Sequence, residues 1–234
     1  MLVPNMADLK IEENRDVNLI QITNMHETVS IFNTPDLENP KERKSLIKSI
    51  ESIIRTSPEY SEFIGYLKNV LNLTKCLFHP DVDITELKQT KLEFHHYPFT
   101  LYDITDVMLT KYVQSHSTIN PYEIAESVMR LHYELKVGLV PLSKTIHQLT
   151  HAGKKFINLS YVNQSYLKFI AEYSETISED LINNWQNLKS LSIKQDEGEL
   201  EEDDILANIT LELDMDDVEL PKALKKEIEL TDIC

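Results

Sequence analysis

The sequence predicts an α+β fold that is mostly helical. Seven segments between residues 40 and 191 place apolar residues at the three- and four-residue intervals of amphipathic helices. Strand character is confined to short stretches, residues 19–23, 28–32 and 91–98. With 41% hydrophobic and 26% charged residues, the 234-residue chain has the composition of a soluble globular protein that buries a core.

The first two helices are expected to follow a polar N-terminal extension, residues 1–38. One helix is predicted from Pro40 to about Thr56, and its apolar face consists of Leu46, Ile47, Ile50, Ile53 and Ile54. Ser57 and Pro58 then start a second helix, because serine is a favoured N-cap and proline fits the first helical position. The residues expected to be buried on this helix are Phe63, Leu67, Val70 and Leu71.

Five more helices are expected after residue 100. Asn120 and Pro121 open one of them in the same way, and Gly153 ends another because glycine readily adopts the left-handed conformation that terminates helices. The predicted ranges are 102–116, 121–136, 143–152, 164–175 and 179–191, with a short apolar piece at 139–142. Residues 39–191 are therefore predicted to form one helical domain.

The formal net charge of −16 is concentrated in a C-terminal segment, residues 192–234. Residues 196–219 contain twelve acids and no lysine or arginine, so the remainder of the chain carries only −4. The simplest interpretation is a disordered, solubilising tail. Apolar residues interleave with the acids, however, which favours docking onto a basic protein partner or onto a cationic, nucleic-acid-binding surface of the protein itself.

The sequence indicates a cytoplasmic protein that does not contact membranes. No apolar run approaches the roughly 20 residues needed to cross a bilayer, and the N-terminus lacks the features of a secretion signal. Cys76 and Cys234 are too few and too far apart in sequence to suggest a disulfide framework.

Two pairs of histidines predict one divalent-metal site. His147 and His151 are spaced so that both imidazoles project from one face of a helix, and they can converge on a single ion. Consecutive side chains of a strand face opposite ways, so His95 can bind the metal while His96 stays free to accept a proton from water. Glu93, two residues before His95, lies on the same face of the strand as His95. Each pair alone is better explained as unrelated, partly exposed histidines.

The segments KLEFHHYP, residues 91–98, and GLVPLSKTIHQLTHAGK, residues 138–154, resemble the two halves of the HNH, or ββα-metal, nuclease motif. The version is closest to the histidine-rich one of colicin-type DNases, and the resemblance extends over residues 76–154 at most. It implies a ββα unit whose base is His96 and whose supporting acid is Glu93. The metal ligands that it implies are His95, His147 and His151.

The sequence also departs from this family. Many members hold a structural zinc with two cysteine pairs, but only Cys76 remains here, because Ser143 and Ile146 stand where the second pair belongs. Gly138 replaces an asparagine that braces the loop carrying the base. The long distance between the two halves implies that residues 102–137 are a helical insertion.

Two functions follow from this resemblance. The first is a metal-dependent endonuclease that hydrolyses DNA phosphodiester bonds with one divalent ion. Three histidines suit zinc, nickel or a similar transition ion better than magnesium, which prefers oxygen ligands, and manganese or magnesium in the cell is the alternative. The alternative is a catalytically impaired HNH-fold protein that engages a protein partner through its inserted helices and acidic segment. The composition also resembles that of bacteriophage accessory proteins, which act in an infected bacterial host.

Overall fold

The computed structural model of the chain describes residues 35–83, 92–202 and 205–206. Over these residues there are seven α-helices and four short strands, which confirms the predicted, mostly helical α+β fold. The strands predicted at 19–23 and 28–32, and most of the acidic segment, lie outside the described residues. No helix in the described part of the chain is long and apolar enough to span a bilayer.

The first two helices begin where the capping residues predict. Helix α1 spans Pro40–Thr56 and α2 spans Pro58–Asn69. The Asn39 side chain accepts a hydrogen bond from the Lys41 amide, and the Ser57 hydroxyl accepts one from Tyr60. These bonds satisfy backbone donors that have no partner within the helix.

The strands form two antiparallel pairs that adjoin each other. Strand β1 (Lys75–Cys76) pairs with β2 (His79–Asp83), and β3 (Leu92–His96) pairs with β4 (Leu139–Ser143). The Leu77 amide, in the turn between β1 and β2, donates to the Pro141 carbonyl of β4. Helix α5 (Lys144–His151) begins directly after β4. The paired strands β3 and β4 and the helix α5 therefore have the order of a ββα unit, with two helices inserted between the strands.

The helices between β3 and β4 belong to the core of the protein. Helices α3 (Leu101–Ser115) and α4 (Pro121–Tyr133) pack against each other and against α1. The Arg43 side chain of α1 reaches across to Asp106 at 2.6 Å and to the Thr110 hydroxyl. Helix α4 ends before its predicted limit because Leu135 adopts a left-handed conformation, with φ of 56°.

The last helices carry a second, smaller apolar cluster. A 3-10 helix (Leu159–Tyr161) precedes α6 (Tyr166–Tyr173) and α7 (Glu179–Asp196), and α7 continues past its predicted end at residue 191. The cluster consists of Phe156, Leu159, Leu188, Leu191 and Ile205. Since Ile205 is completely buried, the start of the acidic segment is part of the packed structure.

Gly138 lies at a point of close backbone approach just before β4. A Cβ atom at this position would overlap the carbonyl oxygen of Tyr97 and lie only 2.8 Å from Cγ1 of Val162. The Tyr97 amide donates to the Gly138 carbonyl at 3.0 Å, which fixes the approach. The glycine that departs from the HNH pattern is therefore required by packing, because an asparagine side chain has no room here.

Candidate metal centre

The three predicted metal ligands meet between β3 and α5. Nε2 of His147 lies 3.0 Å from Nδ1 of His95 and 3.0 Å from Nε2 of His151. The three nitrogen atoms all lie within 4.8 Å of one another. Strand β3 supplies the first ring and α5 the other two, which project from one face of the helix as their spacing predicts.

Glu93 determines the orientation and tautomer of His147. Its carboxylate oxygen lies 2.6 Å from Nδ1 of His147. A carboxylate only accepts hydrogen bonds, so Nδ1 carries the proton, and in the neutral ring Nε2 presents a lone pair to the other two histidines. A carboxylate in this position is the usual outer partner of a metal-binding histidine. Glu93 is thus a positioning residue in this geometry.

The donor set fits a metal ion. Nε2 of a neutral His147 has one lone pair but two nitrogen neighbours at 3.0 Å, so it cannot accept a well-aligned hydrogen bond from both. A cation at the centre would use the lone pairs of all three rings. Tetrahedral coordination with metal–nitrogen bonds of roughly 2.0–2.1 Å spaces the ligands about 3.3 Å apart. The two 3.0 Å separations from His147 are a few tenths of an ångström shorter than this.

The site is partly buried, and burial favours the neutral, metal-binding form of His95. His95 is buried, whereas His147 and His151 are half-buried. Burial lowers the pKa of His95 well below its ordinary value, and the neighbouring His147 and His151 rings lower it further. The neutral imidazole that results is the form that coordinates metals.

His96, which the resemblance implies as the base, faces a different neighbour. It is buried at 5% exposure, and its Nε2 lies 2.9 Å from Nε2 of His132 on α4. Nδ1 of His132 lies 2.8 Å from the Val128 carbonyl, which only accepts, so this nitrogen carries a proton. If His132 is neutral, its Nε2 accepts from His96. If His132 is charged, it donates to His96. In both states Nε2 of His96 is engaged.

Burial selects the neutral arrangement. It lowers the pKa of His132 to about 4, and it lowers the pKa of His96 well below the ordinary value, with His132 as the next contribution. The His132 ring also packs in T-shaped contacts against the rings of Tyr60 and Phe63. Sequence reasoning assigned no role to His132, although its spacing of four from Val128 indicates the buried face of α4.

Cys76 lies where many HNH proteins have the first of the two cysteine pairs that hold a structural zinc. It is buried, and its sulfur accepts a hydrogen bond from the Ser143 amide at 3.2 Å. The two places where the HNH pattern has its cysteine pairs are therefore adjacent in space. The hydrogen bond between Cys76 of β1 and Ser143, the last residue of β4, joins them.

The fold and the site define a mostly helical α+β protein with a three-histidine centre between a strand pair and the helix that follows it. The family profile of the bacteriophage G278-like virion proteins matches residues 1–219, and the chain belongs to this family. The expectation of a bacteriophage protein is thereby confirmed. No curated protein and no solved structure was found to match the chain.

Proposed function

We propose that the protein is a virion component that binds one transition-metal ion through His95, His147 and His151. The observation that carries this proposal is the convergence of three imidazole nitrogens on one point, with Glu93 directing the lone pair of His147 toward it. Because the ligands come from β3 and α5, the ion would tie the strand pair to the helix.

Zinc or nickel suits this donor set best. Both ions accept several imidazole ligands at about the spacing found here, whereas magnesium prefers oxygen ligands and an octahedral shell. Manganese is intermediate in its preference between nitrogen and oxygen ligands. The Glu93 carboxylate binds Nδ1 of His147 rather than facing the point of convergence, so it does not supply an oxygen ligand there.

The full-length protein is expected to bind one zinc ion, measured by isothermal titration calorimetry and by metal analysis after gel filtration. His147→Ala should abolish stoichiometric binding because it removes the central ligand. His79→Ala is the matched control, since this histidine is exposed and outside the cluster. Unchanged binding by the His147 variant would contradict the proposal.

Glu93→Gln is expected to keep the stoichiometry but to weaken zinc binding by about 10–100-fold. The neutral amide no longer fixes the proton on Nδ1 of His147 as strongly as a carboxylate does. Equal affinity of this variant and the wild type would show that Glu93 does not support the site.

Hydrolysis of DNA phosphodiester bonds is a second candidate function. It is supported by the ββα order of β3, β4 and α5 and by a set of three protein ligands, which leaves a coordination position for water or phosphate. A bound ion would supply Lewis-acid stabilisation of a scissile phosphate. The three histidines would hold it and Glu93 would orient His147. His96 could act as a base only after its ring leaves His132 or by using Nδ1.

The hydrolytic role is tested by incubating the protein with DNA and zinc, nickel, manganese or magnesium. Metal-dependent cleavage that His96→Ala abolishes while zinc binding is retained is the expected result for an HNH-type nuclease. Cleavage that persists in this variant would exclude His96 as the base. Absence of cleavage with every ion would remove hydrolysis and leave the metal-binding proposal intact.

The alternative role is that of a protein-binding, catalytically impaired member of the HNH fold. Membership in a virion protein family and the engaged state of His96 support it. The inserted helices carry exposed aromatic side chains, Tyr122 and Tyr133, that a protein partner could cover.

A further inference from the structure

One acid of the C-terminal segment is bound by two donors that follow the metal-binding helix. Glu202 accepts an ion-paired hydrogen bond from the Lys155 ammonium at 2.6 Å with one carboxylate oxygen. Its other oxygen accepts from the backbone amide of Phe156 at 3.1 Å. Both donors lie just beyond α5, four and five positions after His151.

These donors line a cavity of about 500 Å³. Its walls include the aromatic rings of Phe78 and Tyr161, and the Lys155 ammonium lies 4.6 Å above the ring of Phe78. Tyr161 is 52% exposed at the rim. Asp196 also borders the cavity, where it accepts a hydrogen bond from the Asn158 amide. The cavity thus combines a cation, a backbone donor and one exposed aromatic ring, that of Tyr161.

Apolar packing holds Glu202 in place. Ile205 is completely buried in the cluster that includes Phe156 and Leu188, and its amide donates to the Glu201 carbonyl. The Glu202 carboxylate is therefore positioned beside Lys155 by the packing of its segment as well as by the opposite charges. An acid held in this way acts as an intramolecular competitor for any other anion at the same donors.

We propose that Lys155 and the Phe156 amide bind a backbone phosphate of single-stranded DNA, and that Glu202 occupies this position in cis. An ammonium and a backbone N–H that converge on a carboxylate are equally suited to two phosphate oxygens. The exposed Tyr161 ring at the rim can stack on an unpaired base next to that phosphate. The proposal goes beyond the proposed function, because neither a bound ion nor hydrolysis enters it.

The test measures binding of a labelled oligothymidylate to the full-length protein by fluorescence anisotropy at low salt. A chelator prevents cleavage of the probe, and circular dichroism verifies the fold of each variant. Glu202→Gln is expected to bind about tenfold more tightly than the wild type, as it would if Glu202 fills the position nine times in ten. Glu201→Gln is the matched control, because it removes the same charge from an exposed neighbour.

Glu202→Asp separates competition from net charge. The shorter side chain cannot reach both donors but keeps the charge, so this variant should also bind the probe more tightly than the wild type. It serves as the test on its own if Glu202→Gln does not fold. Adding Lys155→Gln to either variant should return the affinity to the wild-type value or below.

Three results would overturn the proposal. One is equal affinity of the Glu202→Gln and Glu201→Gln variants, which would leave only a general effect of charge. Another is tight binding that survives the loss of Lys155. The third is competition by inorganic phosphate as strong as by unlabelled oligothymidylate, which would identify a site for the free anion rather than for DNA.

Discussion

Two histidines adjacent in sequence have opposite roles in this protein. His95 turns toward two other imidazoles and presents a nitrogen to a common point, whereas His96 is paired with His132 inside the core. Strand alternation separates the two directions. The neighbours then decide the chemistry, because a second histidine with a fixed Nδ1 proton engages the Nε2 atom of His96.

The pair of His96 and His132 is expected to stabilise the fold as a unit. His96→Leu or His132→Leu should each lower the free energy of unfolding by about 1–3 kcal/mol, because each leaves one buried imidazole nitrogen without its partner. The double variant should cost less than the sum of the two. Denaturant unfolding of all four proteins measures this coupling, and strict additivity would contradict it.

At the scale of elements, local signals predict the helices well and their packing poorly. The caps at Asn39 and Ser57 and the left-handed Gly153 give boundaries that the structure confirms. The early end of α4 depends on Leu135, a residue with no intrinsic preference for positive φ, so no sequence signal marks it.

The candidate site also has features that the local sequence predicts and features that only the packing determines. Helical spacing depends only on neighbours in sequence, and it places His147 and His151 on one face of α5. Strand alternation likewise turns His95 away from His96. The meeting of His95 with the other two rings also needs the packing of β3 against α5, which the family resemblance implied and local spacing did not. The partner of His96 depends on the rotation of α4, which is set by its packing against α1. Long-range packing of this kind is not encoded in local periodicity. The nuclease activity implied by the HNH resemblance stays a prediction.

At the scale of the whole molecule, the negative charge is unevenly distributed and partly integrated into the fold. The acidic segment begins on α7 and returns to the body of the protein through Glu202 and Ile205. One of its acids, Glu202, forms an ion pair with Lys155 just beyond α5. The part of the acidic segment that the structure describes is therefore not a uniformly solvated tail.

The stability of the protein is expected to fall as the pH drops from about 6.5 toward 4. The pKa of His132 is lowered to about 4 in the folded state, so over this range the unfolded chain binds a proton that the folded chain does not. The loss should approach about 1.4 kcal/mol per pH unit for this group. Urea unfolding with a chelator, at several pH values, measures the slope.

His132→Leu provides the control for this pH dependence. The variant lacks the titrating group, so its slope between these pH values should be shallower than that of the wild type. The carboxylates titrate in both proteins, and their contribution cancels in the difference. Identical slopes would show that His132 is not held neutral by burial.

The burial of Ile205 determines where the protein can be shortened. A chain ending at Asp196 would remove this side chain from its cluster and leave Phe156 and Leu188 facing water. It would also remove Glu202 from Lys155. The effect of the lost Ile205 packing could then not be separated from the effect of the lost Glu202 carboxylate. A boundary after Leu206 removes the acids that follow and keeps both contacts. That truncation isolates the effect of charge.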